Sequence, residues 1–306
     1  MAVNPFQPLF SDHFENLIRT VLSKLPPEKK SKLRAIYFRE KKKLVQRFLS
    51  YDPGEMKVCL RSLGVLEGDS ILLHSSFGPL NGFQGSPEDF IDSLIEAVGA
   101  NGNLLMVSMP YLTSTYKYLQ TLRCFDVRKT ASRMGLISEA FRRRKNVLRS
   151  LHPTHPVLAY GPKADWIVAE HEKSLYPCGL GSPFEKLALM NGKVVFYDVP
   201  FYTFTFFHYL EDLIRDTLPF PLYFSEPFEI PVLDHDGSNR IIRTMVFSSE
   251  ANERRRPKIL VDELNKRHFI KKAKVGNSRL LLVETRQAIQ CAKEMACRGD
   301  FFYDLS

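Results

Sequence analysis

Residues 70–109, SILLHSSFGPLNGFQGSPEDFIDSLIEAVGANGNLLMVSM, decide the fold class. Ser70 to Ser75 is a short apolar run that reads as a buried strand. Ser86-Pro87-Glu88-Asp89 starts a helix: Ser86 is the N-cap, Pro87 sits at the first helical position, and Asp89 lies where the dipole favours a carboxylate. Phe90, Ile91, Leu94, Ile95 and Val98 form its buried stripe, and Gly99 ends it. Asn103 to Met109 is the next strand. A strand, a helix and a strand in that order imply parallel pairing with helices packed over the sheet.

Outward from this unit the alternation continues. A helix closes over Leu60–Leu66, and another is expected from a Ser132 cap to Arg144. Strands are expected at Val157–Tyr160 and Lys193–Asp198, with Ser182-Pro183-Phe184-Glu185 as a capping box on the helix between them. Asp236-Gly237 marks a hairpin inside Glu229–Phe247. The tail reads as helix (Pro257–Phe269), strand (Arg279–Glu284) and helix (Thr285–Cys297). The expected fold is α/β: a central, largely parallel sheet with flanking helices and a small antiparallel β appendage.

In the other direction, residues 1–52 read as a basic helical N-terminal extension, set off from residues 53–306 by a turn at Asp52-Pro53-Gly54. Pro26-Pro27 opens a helix to about Leu49, whose apolar face is Leu33, Tyr37, Leu44 and Phe48. Between Lys29 and Arg47 stand nine basic residues against Glu40 alone, so this segment holds +8 of the net +9. The remainder is nearly neutral, and nucleic-acid binding is not expected. Such a helix can pack on its own domain, on a second copy or, peripherally, on an anionic membrane through residues 29–47. Packing between copies, hence a homo-oligomer, is expected first.

Composition narrows the class further. With 306 residues, 44% apolar and 25% charged, the chain is globular, and 23 Phe and 12 Tyr exclude long disorder. The most apolar stretch, Val194–Leu210, is interrupted by Asp198, Pro200 and His208, which argues against a membrane span. Asn4, Pro5, Gln7 and Pro8 argue against an apolar leader. Five scattered cysteines, none in CxxC, suit a reducing cytoplasm and neither a disulfide framework nor structural zinc. No phosphate-cradling glycine loop, nucleophile elbow or zinc helix is found. Asp234-His235-Asp236 has metal-ligand side chains but sits in the hairpin turn, so no metal site is expected.

Chemistry enters with five ordered motifs. Gly68-Asp69-Ser70-Ile71-Leu72-Leu73-His74-Ser75-Ser76-Phe77 is followed by Phe125-Asp126 with Ser132-Arg133-Met134-Gly135, and by Arg149-Ser150-Leu151-His152-Pro153-Thr154-His155. Gly179-Leu180-Gly181-Ser182-Pro183 and Thr205-Phe206-Phe207-His208-Tyr209-Leu210-Glu211 complete the series. Together, across roughly residues 55–298, they resemble the aminoglycoside 3-N-acetyltransferase family. The resemblance implies a cytoplasmic enzyme that moves an acetyl group from acetyl-CoA to a sugar amine without metal, with residues 53–306 as the acetyltransferase domain.

Acyl transfer to an amine needs a base for the ammonium proton and donors for the thioester oxyanion. His208 and Glu211 are three apart on an expected helix, so their side chains share a face, and a carboxylate would fix the imidazole tautomer. The alternative is a histidine at a helix start that only satisfies a carbonyl. The resemblance makes His208 the base with Glu211 behind it, gives His152 an orienting role and lets Thr205 donate its hydroxyl to the carbonyl. His155 is expected behind the site, and His74 to be structural. The resemblance places coenzyme A near Ser75, Ser76, Ser108, Ser132, Arg133, Met134 and Gly135; helix capping and core packing would use several of the same residues.

The sequence departs from the family around the acceptor. Asp198 and Tyr202 stand where the family usually has Gly and then Asn or Asp, within an aromatic run from Phe196 to Phe207. Tyr111, Asp198 and Tyr202 are the expected acceptor contacts. An aromatic wall suits a sugar face or a base, and the basic arm would repel a polycation. The acceptor is therefore expected to be an amino sugar, nucleotide- or lipid-linked, in surface polysaccharide biosynthesis. The rivals are an aminoglycoside-modifying resistance enzyme and a non-catalytic CoA- or sugar-binding protein.

Overall fold

Helix α1 (Pro27–Phe48) leads directly into α2 (Pro53–Leu63) in a computed structural model that describes Thr20, Ser23 and residues 26–305. Asn4, Pro5, Gln7, Pro8 and most of the arm before Pro26 lie outside the described residues. The expected turn at Asp52-Pro53-Gly54 is instead the start of α2. Asp52 accepts from the Glu55 N–H at 2.8 Å, and Glu55 accepts in return from the Asp52 N–H at 2.9 Å.

The quoted stretch forms the centre of the sheet as β1 (Ser70–Ser75), α3 (Pro87–Val98) and β2 (Asn103–Val107). There follow α4 (Thr115–Thr121), β3 (Phe125–Asp126), α5 (Leu136–Arg143), β4 (Leu148–Arg149), β5 (Val157–Tyr160), α6 (Ala164–Val168) and α7 (Pro183–Leu189). Next come β6 (Lys193–Tyr197), α8 (Phe207–Ile214), β7 (Phe228–Leu233), β8 (Asn239–Thr244), α9 (Ser249–Arg254) and α10 (Pro257–Lys266). The last elements are β9 (Lys271–Val275), β10 (Ser278–Glu284) and α11 (Thr285–Cys297).

The main sheet runs β4-β5-β2-β1-β6-β10-β9. Parallel pairing, expected for most of the sheet, joins its three central strands β2, β1 and β6, whose crossovers carry helices. The flanking pairs β2–β5, β5–β4, β6–β10 and β10–β9 are antiparallel. β9 and β10 are joined by a tight turn, which fixes their direction. The expected appendage is the β7–β8 hairpin, to which β3 adds in parallel. One apolar layer joins Leu72, Val194 and Phe196 to α8 and α11; the other joins Leu73, Val195 and Tyr197 to α2 and α3.

Two helix starts differ from expectation. The helix assigned to a Ser132 cap begins at Leu136, capped by Gly135 at φ 111°, because Ser132 turns its hydroxyl to Ser138 at 2.8 Å. At α7, Ser182 caps the Glu185 N–H, but the Glu185 carboxylate accepts from the Gly181 N–H and no reciprocal box forms. On α1 the inward stripe is Tyr37, Lys41 and Val45; Leu33, Leu44 and Phe48 of the expected face remain exposed. The two stripes are neighbours on one helix, and only the docking partner chooses between them. Among the described residues, no helix is long and apolar enough to cross a membrane.

Candidate active site

β1 and β6 end side by side, with His74 opposite Phe196 and Ser75 opposite Tyr197. Ligand sites of open α/β sheets lie beyond such carboxyl ends. Here a cleft of about 460 Å³ opens there. One wall holds Ser75, Met109, Met134 and Ser138; the other holds Tyr202, Thr205 and His208, and Tyr111 stands at the side. None of its lining side chains is an Asp, Glu, Lys or Arg.

The expected pair forms on the first turn of α8. His208 Nδ1 and Glu211 Oε2 are 2.6 Å apart, and Glu211 is fully buried while the His208 side chain stays 23% exposed. Burial alone would raise the Glu211 pKa, but the Arg255 charge and the His208 and Arg255 hydrogen bonds outweigh it and hold the group below the ordinary carboxylate value. An ionised carboxylate only accepts, so His208 Nδ1 carries the proton and Nε2 is left to take one. Arg255 Nε donates to Glu211 Oε1 at 2.6 Å, and the Tyr303 hydroxyl donates to the same oxygen. Arg255 and Tyr303 were not singled out from the sequence. Arg254-Arg255-Arg256 reads as a solvated run, and Tyr303 lies 92 residues beyond Glu211.

A cluster of histidines lies beside this pair. His155, not His152, stands next to His208, with ring centres 5.9 Å apart and nearly perpendicular. His152 is fully buried, lies outside the cleft lining and stacks on His171 at 4.4 Å. Its Nδ1 faces the His155 N–H at 3.2 Å, while Nε2 is buried without a hydrogen-bond partner among the described residues. Burial, with the neighbouring histidines, drives the pKa of His152 and His155 well below the usual value, and burial brings His171 to about 3. These shifts favour the neutral form of the three rings. His74 is likewise held at about 3 by burial, and its Nε2 accepts from the Thr205 N–H at 3.4 Å. Thr205 faces the cleft, its hydroxyl 3.3 Å from the Thr203 carbonyl.

The residues expected around coenzyme A divide. Ser75 and Met134 line the cleft. Gly135 lies against the β1 loop, where a Cβ would sit 3.7 Å from the Ser75 carbonyl oxygen. Ser76 and Arg133 are exposed at the margin, the Arg133 N–H bonding the Met109 carbonyl. Ser132 is buried against Ser138, and Ser138 takes its place in the cleft. Ser108 is wholly buried, its carbonyl accepting from Arg149 at 2.8 Å, and does not reach the cleft.

Of the expected acceptor contacts, Tyr111 and Tyr202 line the cleft and Asp198 does not. Tyr202 is 76% exposed at the mouth. Tyr111 stacks on Tyr118 at 4.7 Å and shares a hydrogen bond with Thr115 at 2.9 Å. Asp198 is buried at a φ of 51°, accepting from the Arg279 N–H at 2.9 Å and from the Asn81 side chain. Burial raises its pKa to about 6. It fastens the end of β6 to β10. Asp234-His235-Asp236 is also occupied structurally: Asp234 pairs with Arg240 at 2.6 Å, and His235 Nε2 donates to the Arg149 carbonyl at 3.0 Å.

Known proteins resemble this chain in sequence and fold. The family model for aminoglycoside 3-N-acetyltransferase matches residues 72–296. Aminoglycoside N(3)-acetyltransferase IX of Micromonospora chalcea is 27% identical over 167 residues, which are 50% of this chain and 59% of that protein. The chain thus spans about three fifths of the length of that curated relative. Among solved structures, aminoglycoside acetyltransferase AAC(3)-Xa aligns with a TM-score of 0.71 at 22% identity, covering 84% of this chain and 96% of the other. The AAC-IIIb binary complex with CoASH aligns at 0.67 and 22%, covering 82% and 98%. The match over residues 72–296 takes in both walls of the cleft and the whole of α8, and the chain belongs to the aminoglycoside 3-N-acetyltransferase family.

Proposed function

We propose that the chain is an acetyl-CoA-dependent N-acetyltransferase acting on the amine of an amino sugar, with His208 as general base and Glu211 as its orienting carboxylate. The observation that carries this reading is the 2.6 Å pairing of a cleft-lining imidazole with a buried, ionised carboxylate. The neutral wall of Ser75, Met109, Met134 and Ser138 fits the amide-and-thioether arm of coenzyme A, and the family includes a CoASH complex of the same fold. The bound thioester supplies the acetyl group: a C–N bond forms at the carbonyl carbon and the C–S bond breaks.

His208 Nε2 takes the proton that the attacking amine sheds. Glu211 stabilises the resulting imidazolium, since its charge is already fixed by Arg255 and shielded from water. Thr205, whose N–H bonds to His74, would turn its hydroxyl from the Thr203 carbonyl to donate to the developing oxyanion. His152, His155 and His171 act by packing: neutral and buried, they hold the loop beside His208. None of the cysteines lines the cleft, and burial pushes the Cys59 and Cys291 thiols up to about 11, so transfer is direct, without an acyl-enzyme.

The test is thiol release from acetyl-CoA across amino sugars and nucleotide amino sugars. His208→Ala should abolish turnover with little loss of CoA binding, and Glu211→Gln should slow it by ~10²–10⁴-fold. Near-normal turnover in His208→Ala would remove the base assignment. Activity should withstand EDTA and Cys→Ala changes; a trapped acetyl-cysteine would reject direct transfer. The name of the Micromonospora chalcea relative favours a second reading, an aminoglycoside acceptor and antibiotic resistance. Susceptibility with and without expression of the chain separates the two.

A further inference from the structure

The sheet face that carries the cleft continues past it to the β9 edge, where a second hollow of about 580 Å³ lies between β9, β10 and α10. Register sets its composition. Lys274 is opposite Arg279 and Lys272 is opposite Leu281, so these four side chains share one face. Phe201, Val261 and Ile270 extend an apolar floor beneath the three cations. No Asp or Glu lines the hollow, and among the described residues Lys272, Lys274 and Arg279 have no ion-pair partner within 4.0 Å. Their neighbours differ. Lys271, on the other face, pairs with Glu284 at 2.9 Å, and Lys193 pairs with Asp69 at 2.5 Å. The acid nearest in sequence register, Asp198, is buried and bonded to Asn81 and to the Arg279 backbone.

The hollow adjoins the cleft through one turn. Phe201 lines the hollow, while Tyr202, Thr203 and Phe204 line the cleft. The residues that line the two cavities are thus consecutive in the chain, so the proposed acceptor would have its amine at His208 and its charged group across this turn. Lys272 and Lys274, with Arg279 whose charge also acts on the buried Asp198, stand above an apolar floor and are complementary to a multiply charged anion attached to an apolar or aromatic group. They oppose a polycation, and the cleft offers no carboxylate to hold one.

We propose that this hollow binds a diphosphate on the acceptor, so that the enzyme acetylates an amino sugar carried on a diphosphate. The proposal rests on the acetyltransferase reading. The floor of Phe201, Val261, Ile270 and Leu281 takes the group beyond the diphosphate, either a nucleoside or a prenyl chain.

Calorimetric titration of the intact protein with UDP, inorganic pyrophosphate and farnesyl diphosphate tests it, alongside acetyl-CoA. UDP or farnesyl diphosphate should bind, compete with pyrophosphate, and bind in the presence of acetyl-CoA. The stronger of the two identifies the source, nucleotide or lipid. Lys272→Ala/Lys274→Ala, at exposed positions without partners, should weaken that binding by roughly tenfold to a hundredfold. Acetyl-CoA affinity should be unchanged, and Lys274→Arg in place of Lys274→Ala should restore part of the loss. If the double variant instead weakens acetyl-CoA and not UDP, the cations serve the donor and the proposal is overturned. Absence of binding by all three diphosphates, with acetyl-CoA still bound, overturns it and leaves the acetyltransferase reading standing. Absence of acetyl-CoA binding would overturn that reading, and the proposal with it.

Discussion

Glu211 has two oxygens and three donors: His208 and Arg255 share Oε2, and Arg255 and Tyr303 share Oε1. Arg255 therefore determines whether the buried carboxylate stays ionised. In Arg255→Met, burial would be opposed by His208 without the guanidinium and the Glu211 pKa would rise, so the acidic limb of the rate–pH profile should move to higher pH. Removing one partner of a buried pair also costs about 3–5 kcal/mol of stability. Arg255→Lys, which keeps the charge, should recover more of the stability than of the rate. A profile that stays in place while melting falls would make Arg255 structural alone. The His208–Glu211 pair was legible because three residues apart on a helix means one face. Arg255 and Tyr303 were not, because the chain brings them from 44 and 92 residues away. His152 and His155 belong to one loop, and spacing along a loop does not fix which ring faces the cleft.

At the scale of elements, the caps were the clearest local signals. Ser86 and Asp89 form the reciprocal box that their types and spacing imply, and Asp52 with Glu55 forms a second. β9, Lys-Lys-Ala-Lys-Val, was not recognised because an edge strand carries charge where a central strand carries Val and Ile. Strand direction on the flanks depends on partners distant in sequence, and no local pattern encodes it. The junction between arm and body is more tightly built than a linker. Tyr51 is buried with its hydroxyl 2.5 Å from that of Tyr197, and the Leu49 carbonyl accepts from the Asn277 N–H at 3.1 Å. Gly82 and Gly276 close on that carbonyl; a Cβ would fall 2.4 and 2.3 Å from its oxygen, at φ of +90° and +50°. Gly82→Ala and Gly276→Ala should each lower stability by about 1–3 kcal/mol, read as a drop in melting temperature. Deleting residues 1–43 removes Tyr37 and the buried Lys41 but keeps Val45 and this junction, so it should lower melting less than deleting 1–50. The exposed Leu33 and Ile36 support contact between copies through α1. Loss of that contact would appear as a lower solution mass for the 1–43 deletion, and an unchanged mass with lost liposome binding would move the arm to a membrane.

The molecule as a whole buries four of its eight histidines with lowered pKa values, and this sets its response to acid. His74, His152, His155 and His171 are buried, and burial lowers all four pKa values, to about 3 for His74 and His171. Between that range and the ordinary value near 6.5, the unfolded chain binds protons that the native one refuses. Stability therefore rises with pH through this window and is lost as pH falls below about 6.5, at up to about 1.4 kcal/mol per pH unit for each ring. Asp198 has the opposite sign. Its pKa is raised to about 6, so from 3.8 upward the native state holds a proton that the unfolded state has released, and its contribution declines as pH rises. Asp212, its pKa also raised by burial, has the sign of Asp198, so four imidazoles stand against two carboxyls. Glu211, held below its ordinary value, adds a further loss only when the pH drops through the carboxylate range. The urea midpoint should accordingly fall by several kcal/mol equivalents of stability from pH 7 to pH 5, with the decline already under way at pH 6. Replacing His171 with Asn should flatten the curve by about one ring's share, even though Ser150 and the Pro177 carbonyl lose their imidazole partner. A midpoint that holds level or rises between pH 7 and pH 5 would show that these rings are charged in the native protein and would undo their assignment as neutral supports of His208.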